Sequence, residues 1–399
     1  MRVLLAFDKF KGALGAEQAC AVAATVLRRE RPDWQLDLAP LSDGGDGFCR
    51  ILTDALGGER EQLSASGPLV SPEGSGEPRD VEIGWVDLER VPEPARARLA
   101  LPDASLRRLA IVELAAINGL ASVPPERRDV WRSSSFGTGE LLRAAMERGA
   151  QALLLGVGGS ACCELGLGAL SALGLRFEDA AGVRLPYPVP GRFAELVRVR
   201  GRVAPPLAPL CIACDVDSPL LGPHGAAALY GPQKGLDLAQ LPRFEAQASR
   251  LARLLCEHAG CEPGLVNQPG AGAAGGVAFG LCAVTGARLL PGFELVSEVL
   301  DLTARLERAD WVITGEGRFD ATSLVGKGPG SLVQHAALRG RRCTVLAGSL
   351  GLEPGLAERS LPGVAVRAIS PPDLPLQQAL AETPERLARA IQACLAEAG

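Results

Sequence analysis

The stretch ADWVITGEGRFDATSLVGKGPGSLVQHA, residues 309–336, decides how this chain is read. Trp311-Val312-Ile313 is a short apolar run, as expected of a strand buried on both faces. It gives way at once to glycines, then to Glu316, Arg318, Asp320 and Lys327, and a helix is expected around 330–339. Strand, polar glycine-rich loop and helix make one half of a parallel βαβ unit.

The same grammar appears at the N-terminus. RVLLAF (2–7) reads as a buried strand and ALGAEQACAVAATVLRRE (13–30) as an amphipathic helix. QLDLAPL (35–41) is a second strand, and DGFCRILTDALGG (46–58) a helix closed by Gly57 and Gly58. After residue 336 come CTVLAGSLG (343–351), VAVRAIS (364–370) and a closing helix from Pro384. Between the two ends the texture changes. Residues 66–103 are rich in Pro, Gly and Ser, with alternating pieces such as DVEIGWVDL (80–88) that suggest antiparallel or mixed sheet. The expected fold is therefore α/β with two domains. Residues 1–62 and 285–399 form a discontinuous, Rossmann-like parallel-sheet domain, and 63–284 form an inserted mixed α/β domain.

Bulk properties narrow the function. The 399 residues are 47% hydrophobic with net charge −5, ample for large cores and without the basic run that a nucleic-acid footprint needs. No uninterrupted apolar run reaches membrane-spanning length, and MRVLLAFDKFKG (1–12) lacks a signal peptide's long apolar core. No nucleic-acid or membrane partner is expected, and the chain reads as cytoplasmic. Two groupings among the 11 cysteines raise zinc or redox chemistry: Cys211 with Cys214, and Cys256, His258 and Cys261. PLCIACDV (209–216) reads as a strand, so buried, reduced thiols acting as small hydrophobes are the expectation.

In open parallel sheets, ligands bind where the strands' carboxyl ends gather. Strand ends here carry Asp8-Lys9-Phe10-Lys11-Gly12, Ser42-Asp43-Gly44-Gly45-Asp46-Gly47, Thr314 through Asp320, and Ala347-Gly348-Ser349. Any one of these could be only a turn. Four together, if one sheet holds their strands, bring carboxylates, Lys and Arg among exposed backbone, which suits a magnesium ion and a polyphosphate. In the middle region, Gly156, Gly158, Gly159 and Ser160 follow a strand and precede GALSALG, so their backbone could meet an anion at a helix N-terminus. Close packing through small residues is the competing reading. CDVDSPLLGPHGAAALYGPQKG (214–235) contributes Asp215, Asp217 and Lys234. GAGAAG (270–275) follows no strand, and GKG (326–328) lacks the glycine spacing and Ser/Thr of a P-loop, so neither nucleotide motif is met.

Taken together, AFDKFKGALGAEQA, LSDGGDGF, IVELAAINGLASVP, SSSFGTGELLRAA, LGVGGSA, CDVDSPLLGPHGAAALYGPQKG, PGAGAAGGVAFGL, LPGFELV, ADWVITGEGRFDATSLVGKGP and LAGSLG resemble, in order and over nearly the whole chain, the bacterial glycerate kinase family of the type that makes 2-phosphoglycerate. The resemblance implies ATP, a divalent metal and D-glycerate as acceptor, on a two-domain α/β fold with the active site in the cleft between the domains. A homodimer is entertained as the assembly. After GGSA the family reads Thr-Asn-Asp-Gly-Gly, whereas this chain has Cys162-Cys163-Glu164-Leu165-Gly166. On this reading Asp43, Asp46, Glu316 and Asp320 are candidates to hold Mg²⁺. Lys11, Arg318 and Lys327 face phosphate or the glycerate carboxylate. Gly156, Gly158, Gly159, Ser160, Gly348 and Ser349 join Lys327 in binding the nucleotide. Asp215 orients or deprotonates the acceptor hydroxyl, with Lys234 neutralising developing charge. Exchanging the roles of Asp215 and Asp43 violates nothing in the sequence. Rival readings are a kinase of a related sugar or hydroxy acid, a non-catalytic homologue, and a dehydrogenase, the last disfavoured by the failed dinucleotide pattern.

Overall fold

The computed structural model describes residues 1–397 apart from 72, 73, 75, 322, 324–327, 353–355, 357, 358 and 360. Its strands are β1 (Arg2–Phe7), β2 (Gln35–Leu38), β3 (Glu59–Val70), β4 (Gly76–Asp87), β5 (Arg108–Glu113), β6 (Ala152–Gly156), β7 (Arg176–Glu178), β8 (Arg198–Arg200), β9 (Leu210–Ala213), β10 (Arg288–Leu290), β11 (Trp311–Gly315), β12 (Arg318–Asp320), β13 (Arg342–Ala347), β14 (Ser349–Gly351) and β15 (Val364–Ala368). The chain divides into two compact units: residues 1–43 with 293–399, and residues 44–292.

The first unit is built on a five-stranded sheet in the order β15-β13-β11-β1-β2. Every pair in it is parallel, as the strand–loop–helix grammar requires. Val3 to Phe7 and Trp311 to Gly315 are wholly buried, which is why both read as continuous apolar runs. The helix Ala16–Glu30 follows from apolar positions at helical spacing: Ala16, Ala19, Cys20, Ala23, Ala24 and Leu27 are all buried. Gln18 Oε1 accepts the Gly15 N–H at 3.1 Å and satisfies one otherwise orphaned donor at its start. The closing helix Thr383–Ala396 adds Leu387, Ile391, Cys394 and Leu395 to the same core. Trp311, fully buried, keeps its indole N–H satisfied by Thr344 Oγ1 at 3.0 Å. Burying side chains such as Phe7 and Leu5 stabilises the unit by about 1.5–3 kcal/mol each.

The second unit holds a six-stranded mixed sheet, β10-β9-β6-β5-β4-β3. β5, β6, β9 and β10 run parallel, whereas β3–β4 and β4–β5 are antiparallel. The Pro/Gly/Ser-rich region therefore forms the antiparallel edge, the mixed character its alternating sequence predicts. The helix Phe48–Ala55 belongs to this unit: its Cys49 thiol donates to the carbonyl of Ile111 on β5 at 3.3 Å. Among the described residues, no helix is long and apolar enough to cross a membrane.

Candidate active site

β1, β2, β11 and β13 are parallel neighbours in one sheet, so the four strand ends quoted above do share one edge. Phe7 is level with Gly315, and the Asp8 N–H donates to the Gly315 carbonyl at 2.9 Å. Asp8 and Glu316 thus leave the sheet side by side. Lys9 Nζ donates to Asp43 Oδ1 at 3.3 Å, and the Lys9 N–H to Asp8 Oδ1 at 2.7 Å. Arg318, largely exposed, pairs with Asp320 Oδ2 at 3.3 Å. Lys11 is exposed just beyond β1. The N–H groups of Gly348 and Ser349 are committed to the carbonyls of Glu316 and Gly317, at 3.0 and 3.1 Å. Lys327 lies outside the described residues.

Glu316 is the electrostatic centre of this edge. Burial, opposed by a hydrogen bond from Ser323 and reinforced by the charges of Asp8, Asp320 and Asp43, pushes its carboxyl up to about 7. Its Oε1 is buried and has no hydrogen-bond partner among the described residues. A partly buried acid with an open acceptor and three carboxylate neighbours ionises at a cost that a divalent cation would remove. Among the described residues no three ligand groups stand together as a finished metal site. Mg²⁺ does not require one, because it is usually held by one or two carboxylates plus water and substrate phosphate. The residues present therefore fit Mg²⁺.

In the second unit, β5, β6 and β9 end in Glu113, Gly156 and, just beyond, Asp215. The buried Glu113 carboxylate accepts the N–H groups of Gly47 and Cys49 at 3.2 and 3.1 Å, fixing the DGGDG turn at the start of the helix Phe48–Ala55. The Gly158 N–H donates to the Gly44 carbonyl at 2.9 Å. A Cβ on Gly156 would lie 2.6 Å from that same carbonyl oxygen, and one on Gly158 2.6 Å from the Gly45 Cα. These two glycines therefore serve close backbone packing. Gly159 lies beside the Asp46 carboxylate. Buried Lys234 donates from Nζ to Ser160 Oγ at 2.8 Å and to the Cys162 carbonyl at 2.7 Å. Asp215 Oδ1 accepts the Gly292 N–H at 2.9 Å.

The anion expected at the next helix N-terminus is supplied by the chain itself. Glu164, with no exposed surface, accepts Ser135 Oγ and the Gly168 N–H, each at 2.5 Å, and so caps the helix Leu167–Ala172. Burial pushes its carboxyl up to about 7. Leu165 takes a left-handed φ of 58°. That strain is held by burial and by its N–H donating to the Gly275 carbonyl at 3.0 Å. The GAGAAG segment has its own role here: it is preceded by a 3₁₀ turn, Pro263–Asn267, and its backbone clasps the 162–166 loop.

Asp8, Lys9, Ser323 and Glu113 belong to these clusters; the sequence places Asp8 and Lys9 at a strand end without assigning them a role, and does not mark Ser323 or Glu113. The signal for Asp8 was present, because it is the first residue after a buried strand. The β1–β11 register, which makes it Glu316's neighbour, was not.

A parallel sheet with acids, lysines and glycine turns along its carboxyl edge is the architecture of an α/β enzyme. The chain belongs to the glycerate kinase family, whose sequence pattern matches residues 3–398. It is 36% identical over 352 residues to a glycerate kinase of Halalkalibacterium halodurans, covering 88% of this chain and 86% of that protein. It is 32% identical over 362 residues to the glycerate 2-kinase of Escherichia coli, covering 90% and 88%. A Salmonella typhimurium LT2 crystal structure, solved as a candidate glycerate kinase 2, superposes with a TM-score of 0.71 at 29% identity. It covers 100% of this chain and 99% of that one.

Proposed function

We propose that this chain transfers the γ-phosphoryl group of ATP to the 2-hydroxyl of D-glycerate, forming 2-phosphoglycerate, with Mg²⁺ as the metal. Family membership supports the reaction. The observation that carries the metal's place is Glu316, a partly buried carboxylate beside Asp8, Asp43 and Asp320, with an oxygen that no described residue bonds. Glu316 with one of these neighbours would hold Mg²⁺, which when bound would supply charge neutralisation to phosphoryl oxygens. Lys9, paired with Asp43, balances part of their charge.

Phosphoryl transfer depends mainly on positioning and charge neutralisation. Arg318 and Lys11, exposed at the same strand ends, are assigned to phosphate or the substrate carboxylate, where guanidinium geometry favours bidentate contact. Asp215 is assigned as the base. As the acceptor oxygen bonds to γ-phosphorus, its proton passes to Asp215, the bond from γ-phosphorus to the β–γ bridging oxygen breaks, and ADP leaves. Lys234 holds Ser160 and the Cys162 carbonyl in place. Asp215→Asn should lower turnover about 10²–10⁴-fold, and near-normal turnover would remove Asp215 from that role. The reaction is tested with ATP, Mg²⁺ and D-glycerate, coupling product to enolase with and without phosphoglycerate mutase. Signal without mutase supports the 2-phosphate; signal only with mutase means the 3-phosphate; absence of ADP overturns the reading.

A further inference from the structure

The helix Leu241–Ala259 ends in a left-handed residue, Gly260, with φ 66° and ψ 27°. The Gly260 N–H donates to the Cys256 carbonyl, and the Cys261 N–H donates to the same oxygen at 3.1 Å. The bond across six residues and the left-handed glycine define a Schellman cap, which brings together the side chains four residues before and one residue after the glycine. In this chain those two positions are Cys256 and Cys261. The Cys261 N–H bond to the Cys256 carbonyl holds the two residues against one another across the cap. Cys256 is buried and Cys261 is half-buried, so only one sulfur of the pair is open to reagents. His258, on the same last turn, is engaged with the Gly201 carbonyl at 3.0 Å, and the described residues hold no metal-binding cluster that would occupy these thiols.

We propose that Cys256 and Cys261 form a reversible oxidative modification site, a dithiol that hydrogen peroxide converts to an intrachain disulfide across the helix cap. Cys261 reacts first. Its thiolate attacks one peroxide oxygen, the O–O bond breaks, and hydroxide leaves, giving a sulfenic acid. The Cys256 sulfur then attacks the Cys261 sulfur. The S–S bond forms as the S–O bond breaks, and the departing hydroxide takes the Cys256 proton as water. Two thiols and one peroxide give one disulfide and two waters, with two electrons passing from sulfur to oxygen. Exposure orders the two steps. Burial, with Cys261 as neighbour, pushes the Cys256 thiol up to about 12, so Cys256 acts only once its neighbour's sulfur has become an electrophile. The Schellman turn brings the two side chains to one side of the cap, and the backbone bond between their residues keeps them close. Elsewhere, Cys20, Cys49, Cys162, Cys163, Cys211, Cys343 and Cys394 are all buried, which shields them from the same reagent.

The test treats the reduced full-length protein with hydrogen peroxide, alkylates remaining thiols, and maps peptides after cleavage at Glu257, between the two cysteines. The expected product joins Cys256 to Cys261, leaves the other cysteines alkylated, and reverts with dithiothreitol. In C256S, a sulfenic-acid probe should label Cys261. In C261S, oxidation at Cys256 should slow at least about tenfold. Cross-links between other cysteines, such as Cys214 and Cys282, would overturn the assignment. So would over-oxidation of Cys261 in the wild-type chain with Cys256 still free.

Discussion

Two glutamates, one in each unit, have carboxyls pushed up to about 7 chiefly by burial, yet they are opposites. Glu164 has both oxygens satisfied, by Ser135 and Gly168, and it caps a helix. Glu316 has an oxygen with no donor among the described residues and stands beside Asp8, Asp43 and Asp320. A raised acid alone does not mark an active site. What distinguishes a structural carboxylate from a reactive one is whether its acceptors are already filled.

The contrast breaks most visibly in activity. Glu316→Gln should lower kcat/KM about 10²–10³-fold, measured with the enolase-coupled assay, while leaving the folded chain as stable or slightly more so. Equal loss of stability and activity would put Glu316 on the structural side. Glu164→Ala should do the reverse. It leaves the Gly168 N–H and Ser135 hydroxyl without their acceptor and opens a cavity, a cost of about 3 kcal/mol read from the urea midpoint.

The pH dependence sharpens the same point. Folded Glu164 keeps its proton to about pH 7, whereas an unshifted glutamate releases it near 4.5. Between those values the folded state binds more protons, so stability falls as pH rises from about 4.5 to 7 and is flat above. The contribution is on the order of 3 kcal/mol. In Glu164→Gln that part of the slope should vanish. Glu316 adds a decline of the same sign, which added Mg²⁺ should flatten and which Glu164→Gln should leave untouched. The smallest expected effect is Arg318→Ala. Its pair with Asp320 is largely exposed, so the urea midpoint should move by no more than about 0.5 kcal/mol, whatever happens to turnover.

The fold class was legible because β1 and β11 are buried on both faces and read as apolar runs followed by polar, glycine-rich ends. Strand alternation in DVEIGWVDL likewise announced the antiparallel edge formed by β3 and β4. The site was legible only in its chemistry. Which acids meet depends on register: Phe7 opposite Gly315 makes Asp8 a neighbour of Glu316, and no local pattern encodes that pairing. Glu164's satisfaction rests on Ser135, 29 residues away, a partner that the sequence around residue 164 does not reveal. Gly156 and Gly158 show the same limit, since a glycine required by packing and one required by a ligand look alike until the backbone they approach is known.

The most direct measurement is a Mn²⁺ titration, followed by electron paramagnetic resonance, of the wild-type chain, Glu316→Gln and Glu164→Gln. The account predicts binding weakened at least about tenfold in Glu316→Gln and unchanged in Glu164→Gln. Undiminished Mn²⁺ affinity in Glu316→Gln would contradict it.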